Sequence, residues 1–264
     1  MSLLPFLLST VACVPPTDDA EGGTSTYDDA DDDGDGLTNG EEDDLGSDPN
    51  EVDSDGDGYS DFDEVETGHD PTDDDDKIYE GGWPYNPNKD EMEDPGWDGR
   101  AKEGEVVPRF QSYDHFGDDF DLYDFAGHGK SVIIDISAEW CGYCQELAKY
   151  MGSQASYFDQ YESSYPELKK VRKGIENGEI LWVEILDQNQ AGTTIELRDL
   201  EQWEKRYGMP FTPVVADEEM LWLDWTKLRG YPTLMLADET MTITSYSASD
   251  YFAALGDAAA LLDE

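Results

Sequence analysis

Residues 131–144 read SVIIDISAEWCGYC, and the fold of the chain can be predicted outward from them. Residues 131–137 form an apolar, β-branched run of the length typical of a buried central strand. A segment with helical character follows from Gln145 to about Tyr157, so the two cysteines lie where a strand passes into a helix. From about Val106 onward strands and helices alternate, which predicts an α/β sheet domain.

Cys141 and Cys144 form a Cys-x-x-Cys pair at this junction, a spacing that indicates a redox-active dithiol. A helix N-terminus presents free N–H groups and a partial positive charge, which favour a thiolate at Cys141. Two alternatives compete with this interpretation. Zinc would need two further ligands, and the remaining candidates are Cys13 and three scattered histidines. A purely structural disulfide would close a loop too small to constrain the unfolded chain much.

Residues 138–144, AEWCGYC, resemble the active-site segment of the thioredoxin superfamily, with Tyr143 in place of the usual proline. The resemblance covers roughly residues 108–264 and implies an α/β thioredoxin fold, a central mixed sheet flanked by helices. It also implies that Cys141 attacks a disulfide, that Cys144 resolves the intermediate, and that a buried Asp135 relays a proton. A strand-end hydrogen bonder is the alternative for Asp135. The active-site residues that the resemblance implies are Cys141, Cys144, Asp135 and Pro232, supported by Trp140, Gly142, Tyr143, Tyr231 and Thr233.

Residues 229–233, RGYPT, resemble the superfamily's cis-proline loop, in the form with tyrosine before the proline that is found in protein disulfide isomerases. The resemblance implies a cis bond before Pro232, which is uncommon among X-Pro bonds. It also implies that the loop faces the cysteines and offers backbone groups to an extended substrate. An ordinary turn before a strand is the alternative.

Between the predicted strand 180–186 and this loop lies more chain than a minimal thioredoxin contains. Residues 197–207 favour a helix and residues 214–216 a short strand. This insertion resembles the redoxin branch, which includes membrane-anchored thioredoxins and peroxiredoxins. A peroxidase is therefore a rival. The peroxidatic motif places Pro and Thr shortly before the cysteine, whereas this chain has Ala138-Glu139-Trp140, which favours disulfide exchange.

Two acidic segments share one pattern, D-x-D-x-D-G-x-x-[ND]-x-x-E, at residues 31–42 and 53–64. Oxygen ligands at alternate positions, a glycine at the turn and a carboxylate at position twelve are what Ca²⁺ requires. No long amphipathic helices flank the segments, which argues against an EF-hand, and the pattern resembles thrombospondin type 3 repeats. A solvated acidic linker is the alternative. The resemblance implies a stiff calcium-bound spacer with Asp31, Asp33, Asp35, Glu42, Asp53, Asp55, Asp57 and Glu64 as ligands, and Asn39 and Asp61 acting through water.

Charge is distributed unevenly along the 264 residues, which carry 64 Asp and Glu against 16 Lys and Arg. Residues 17–76 hold 27 of these acids and no Lys or Arg, so this region must bind cations or remain unfolded. A nucleic-acid partner is disfavoured because phosphates require stripes of Lys and Arg.

A short apolar run precedes Ala12 and Cys13, and resembles the cleavage box of a bacterial lipoprotein signal peptide. The resemblance implies export to the periplasm or cell surface and a lipid anchor on Cys13. No basic residue precedes the run, and an incidental cysteine in an apolar N-terminus is the alternative.

The sequence therefore predicts a signal peptide (1–12), a linker (13–28), calcium repeats (29–77), a second linker (78–105) and a thioredoxin-like domain (106–264). The predicted function is thiol–disulfide exchange with protein thiols and disulfides, served by a separate thiol reductant or oxidant, with Ca²⁺ and no organic cofactor. Gly142-Tyr143 resembles the pair in periplasmic isomerases, although the direction of electron flow stays open. The rival from another class is a calcium-stiffened surface scaffold or adhesion protein whose thioredoxin domain only binds partners.

Overall fold

Strands and helices alternate along the described part of the chain, which in the computed structural model comprises residues 27–227, 229–247 and 251–262. The strands are β1 (Gln111–Tyr113), β2 (Asp119–Asp121), β3 (Val132–Ala138), β4 (Leu181–Gln188), β5 (Val214–Ala216), β6 (Thr233–Ala237) and β7 (Ile243–Tyr246). The α-helices are α1 (Asn39–Leu45), α2 (Asp61–Thr67), α3 (Gly142–Met151), α4 (Glu167–Glu176), α5 (Leu197–Tyr207), α6 (Leu221–Thr226) and α7 (Tyr251–Leu261).

The main sheet has the strand order β5-β4-β3-β6-β7, with the fully buried β3 at its centre. Strands β3, β4 and β5 run parallel, whereas β6 is antiparallel to β3 and β7 is antiparallel to β6. A mixed sheet of this order, with a helix leaving the carboxyl end of the central strand, is a thioredoxin fold. The predicted fold class is confirmed, and the predicted helix 197–207 and strand 214–216 form with the expected bounds.

Two apolar cores cover the two faces of the sheet. One contains side chains of α3, α4, α5 and α7, together with both cysteines. The other contains α6 and, beneath it, aromatic residues of the 78–105 segment. In this segment Tyr79 and Trp83 are buried, and the Trp97 ring packs edge-on against Phe110 and Trp222. The segment predicted to be an extended connector therefore supplies part of the domain core.

The helix after the cysteines differs from its predicted bounds of 145–157. It begins at Gly142, since Cys141 caps it, and it ends at Met151, after which residues 157–161 form a separate 3₁₀ turn. At its end Gly152 abuts the last turn of α5. A Cβ at Gly152 would lie 2.0 Å from the carbonyl oxygen of Tyr207. This close approach fixes the helix that carries the cysteines against α5.

The predicted signal peptide, Cys13 and most of the 13–28 linker lie outside the described residues. Among the helices of the described ranges, none has both the length and the apolar character needed to cross a bilayer.

Replacing Gly152 with Ala should destabilise the protein by about 3 kcal/mol, because backbone atoms that cannot rotate away occupy the space of the new methyl group. Gly256→Ala is the matched control. Nothing lies within 4 Å of a Cβ at Gly256 in α7, so this change should add about 0.5–1 kcal/mol of stability. Urea unfolding of both variants measures the difference, and equal effects would contradict the close contact.

Candidate functional site

The two cysteines lie at the N-terminus of α3, directly after the central strand. Cys141 is the N-cap residue, and its Sγ accepts the backbone N–H of Cys144 at 3.2 Å. Both are free thiols, 6% exposed at Cys141 and 1% at Cys144. The hydrogen bond from the Cys144 side chain, aided by backbone N–H groups, lowers the pKa of Cys141 to about 7 against the effect of burial. Burial raises the pKa of Cys144 well above its ordinary value.

These opposite shifts give the two sulfurs different roles. At neutral pH Cys141 has substantial thiolate character and the more accessible sulfur, which are the properties of a nucleophile. Cys144 keeps its proton until a base removes it. The arrangement can therefore carry out a two-step exchange in which only one sulfur attacks from the resting state.

Asp135 lies beneath the cysteines on β3 and is 2% exposed. Its Oδ1 accepts a hydrogen bond from the Ser137 hydroxyl at 2.9 Å. Burial raises the pKa of Asp135 to about 8, while the Ser137 hydrogen bond lowers it and the charge of Cys141 raises it. A carboxyl group that titrates near neutral pH can both accept and return a proton, which is the role predicted for this residue.

Glu184 is a second buried acid that the sequence analysis missed. It lies on β4 in register with Asp135, and neither of its carboxyl oxygens has a hydrogen-bond partner among the described residues. Burial raises the pKa of Glu184 well above its usual range, and the charge of Asp135 raises it further. The available signal was a single glutamate within the otherwise apolar run 181–186.

The loop before β6 faces this site. The bond between Tyr231 and Pro232 is cis, as predicted, and Thr233 donates its hydroxyl to the carbonyl oxygen of Gly230. The Tyr231 ring packs against the core that contains both cysteines. Its hydroxyl donates to Asp187, whose pKa is raised to about 7 by burial, with the Tyr231 hydrogen bond lowering it and Asp217 raising it.

Aromatic side chains flank the exposed side of the cysteines. Trp140 is 45% exposed and Tyr143 is 55% exposed. Tyr143 contacts Tyr157 edge-on, so the rings continue away from Cys141 along the 3₁₀ turn. Gly142, the first residue of α3, leaves open space beside them. The surroundings of Cys141 can therefore contact apolar groups of a partner.

The two acidic loops have the same geometry. In each loop three Asp carboxylates offer oxygens that lie within 4.8 Å of one another. The glutamate at position twelve, Glu42 or Glu64, is fully buried, and its two carboxyl oxygens have no partner among the described residues. Burial and the neighbouring Asp charges raise the pKa of Glu42 to about 7 and that of Glu64 to about 8. A buried glutamate with two unpartnered oxygens, next to three converging Asp carboxylates, fits a bound divalent cation.

Asn39 and Asp61, for which a water-mediated role at the cation stays a prediction, make hydrogen bonds within their own loops. The Asn39 amide bonds the backbone N–H and the carboxylate of Asp32, and Asp61 accepts from the backbone and hydroxyl groups of Ser54. Both side chains are fully buried at the first turn of a helix. These hydrogen bonds tie each loop to the helix that follows it. A polar residue at this position fits both roles, a hydrogen bond within the loop and a water-mediated contact to the cation.

The second repeat is docked on the redox domain. Tyr59, next to the loop carboxylate of Asp57, is buried in the second core, and its hydroxyl donates to the carbonyl oxygen of Trp83 at 2.7 Å. The Trp83 indole in turn donates to Asp114 at 2.6 Å. The first repeat is joined to the second, because Asp35 accepts the backbone N–H of Phe62.

Sequence comparison identifies the acidic segments. Residues 31–51 and 53–74 match the family model described as the bacterial TSP3 repeat, which confirms the predicted resemblance to thrombospondin type 3 repeats. No curated protein matches the chain.

Solved structures similar to this chain include a thioredoxin-like protein from Bacteroides caccae, with 14% identity and a TM-score of 0.43 over 62% of this chain and 50% of that protein. A thiol:disulfide interchange protein from a Bacteroides species has 14% identity and a TM-score of 0.44, and the match covers 62% of this chain and 91% of that protein. Peroxidoxin BcpB from Mycobacterium tuberculosis has 17% identity and a TM-score of 0.41, and the match covers 62% of this chain and 97% of that protein. The chain thus spans half the length of the first of these. At such values no activity transfers, and the fold assignment rests on strand order and direction.

Replacing Glu184 with Gln should raise the free energy of unfolding at pH 7. An acid whose pKa is higher in the folded state keeps its proton there while the unfolded chain releases it, so stability falls as pH rises from about 4.5 toward the folded pKa. Removing Glu184 should make that slope shallower by up to about 1.4 kcal/mol per pH unit between about pH 5 and 7. Urea unfolding of the reduced protein at several pH values measures this slope, with the exposed Glu201→Gln as control. Parallel curves for wild type and E184Q would show that Glu184 is ionised when folded.

Proposed function

We propose that the chain is a thiol–disulfide oxidoreductase that acts on protein disulfides. The observation that carries this proposal is the pair of free thiols with opposite pKa shifts, Cys141 lowered to about 7 and Cys144 raised, at the N-terminus of α3. A structural disulfide has no need of a nucleophile prepared in this way. A zinc site would need further ligands, and the described residues group no histidine with these sulfurs.

In the first step the Cys141 thiolate attacks one sulfur of the substrate disulfide. A bond forms between Cys141 and that sulfur, the substrate S–S bond breaks, and the other sulfur leaves as a thiolate. Cys144 then gives its proton to the ionised Asp135 and attacks the sulfur of Cys141. The Cys141–Cys144 disulfide forms and the second substrate thiolate leaves.

The two departing thiolates take up one proton from Asp135 and one from water. The substrate disulfide is thereby reduced by two electrons and the cysteine pair is oxidised by two. A separate thiol reductant returns the pair to the dithiol, and the reverse sequence oxidises a substrate dithiol.

A polypeptide substrate is supported by the surroundings of Cys141. Trp140 and Tyr143 offer large exposed rings, and the cis-proline loop lies across from them. Rings of this kind contact unfolded polypeptide over a large area at a low cost in side-chain entropy. A small disulfide would make little use of them.

Replacing Cys141 with Ser should abolish the reduction of insulin disulfides, because Ser has no thiolate to attack. Cys144→Ser should retain the first attack and accumulate a mixed disulfide, which mass spectrometry detects, while multiple turnover is lost. Cys13→Ser is the control and should retain turnover. Activity that survives in C141S would reject this mechanism, and a fully inactive wild type would favour the scaffold alternative.

We also propose that each acidic loop binds one Ca²⁺ and that the protein works outside the cytoplasm. The proposed ligands are the three Asp carboxylates of each loop together with Glu42 or Glu64. Bound calcium would neutralise carboxylates that otherwise repel one another. Export is supported by the TSP3 repeats and by the signal-like segment before Cys13.

Calcium should raise the unfolding temperature of the whole protein by about 10–20 °C, since each of the two sites filled at a hundred times its Kd adds about 2.7 kcal/mol, and each kcal/mol raises the unfolding temperature of a protein of this size by about 2–4 °C. Tyr59→Ala should reduce this rise in the redox domain, because Tyr59 joins the second loop to Trp83. Near-UV circular dichroism with Ca²⁺ or EDTA measures unfolding, and calorimetry measures binding. The exposed Val52→Ala is the control. An unchanged rise in Y59A would show that the repeats and the domain unfold independently.

A further inference from the structure

A β-bulge lies beside the active site, where β3 and β4 change register. Ser137 pairs with Leu186, but the next residue, Ala138, pairs with Gln188. Asp187 is therefore the extra residue. A bulge turns a side chain away from the direction that regular alternation would give it.

The bulge places the buried carboxylate of Asp187 against the cis-proline loop. Asp187 is fully buried, and its Oδ2 accepts the hydroxyl of Tyr231, the residue before Pro232. Its Oδ1 has no hydrogen-bond partner among the described residues. Burying a carboxylate in this position costs folding free energy. Within the described ranges, Tyr231 donates the one side-chain hydrogen bond that Asp187 receives.

Tyr231 in turn contacts the residue next to the nucleophile. Its ring meets the Trp140 ring edge-on, with centroids 5.5 Å apart and an interplanar angle of 89°. Trp140 is fixed a second time, since its indole N–H donates to Gln188 Oε1 at 2.8 Å. The backbone N–H of Glu139 donates to the Gln188 carbonyl oxygen at 2.9 Å.

Two consecutive residues of β4 therefore hold both sides of the entrance to Cys141. Asp187 holds the cis-proline side through Tyr231, and Gln188 holds the Trp140 side. The edge-on contact between the Tyr231 and Trp140 rings connects these two sides. Moving Tyr231 would release the only ring contact that connects the two sides within the described residues.

We propose that Asp187 is a positioning residue for polypeptide substrates, which keeps Tyr231 and Trp140 in place beside Cys141 while an extended chain docks on the cis-proline loop. This inference rests on the proposed disulfide exchange. Asp187 acts through Tyr231, so its loss should weaken substrate docking more than it slows attack by Cys141.

The protein contains a matched control for this bond. Tyr79 donates its hydroxyl to Asp124 Oδ2 at 2.7 Å, again between a phenol and a buried carboxylate. That pair lies with the core on the opposite face of the sheet from the cysteines. Tyr79→Phe therefore removes the same kind of hydrogen bond without approaching the entrance to Cys141.

The experiment compares Asp187→Ala, Tyr231→Phe and Tyr79→Phe in the full-length protein. The substrates are a disulfide-linked peptide that carries aromatic residues and a small aromatic disulfide, dithiobis-nitrobenzoate. In D187A and Y231F the KM for the peptide should rise about tenfold with a smaller change in kcat. The loss of kcat/KM for the peptide should exceed the loss for the small disulfide by a similar factor. Y79F should lower thermal stability and leave both ratios unchanged.

The double variant D187A/Y231F should lose little more than either single variant, because both changes remove the same hydrogen bond. Equal losses on the two substrates, an unchanged peptide KM, or a matching rise in Y79F would overturn the positioning role. A wild type that reduces neither substrate would overturn the proposed function itself, and the role of Asp187 with it. The two failures are thereby distinguished.

Discussion

The hydrogen bond from the Cys144 backbone N–H to Cys141 Sγ is the interaction on which the rest of the site depends. A sulfur in the N-cap position satisfies a backbone donor that would otherwise have no intrahelical partner. The same bond stabilises negative charge on that sulfur. Local helix geometry therefore prepares the nucleophile before any distant residue contributes. The central strand, the close approach at Gly152 and the cis-proline loop then determine what surrounds the sulfur.

The sequence was sufficient to predict the parts of the fold that follow from local pattern. Apolar runs indicated β3 and β5, and spacing indicated α5, whereas the cis bond before Pro232 was implied by the resemblance of RGYPT to a known cis-proline loop. The repeated acidic pattern located both loops. These features depend on neighbours in the chain, which periodicity and turn chemistry record directly.

What the sequence did not indicate depends on contacts across the sheet. Glu184 becomes important because the β3–β4 register places it beside Asp135, and no local pattern encodes that register. Asp187 gains its role from a bulge, which shifts pairing by a single residue. The tryptophans of the 78–105 segment were expected to pack on the next domain, but the segment lacks any regular period, so their partners in the core could not be predicted. Helix α3 is shorter than predicted because Gly152 meets the backbone of α5.

The docking of Tyr59 and Trp83 has a consequence for where this molecule can be divided. Phe110, Trp222 and Trp225 are covered by residues that precede Val106, such as Trp97. A fragment that starts at the sequence-based boundary of 106 would expose this aromatic surface to water, and such surfaces promote aggregation. The smallest autonomous unit thus includes the 78–105 segment. Proteolysis within that segment would therefore destabilise the thioredoxin-fold domain, although both of its cysteines lie downstream.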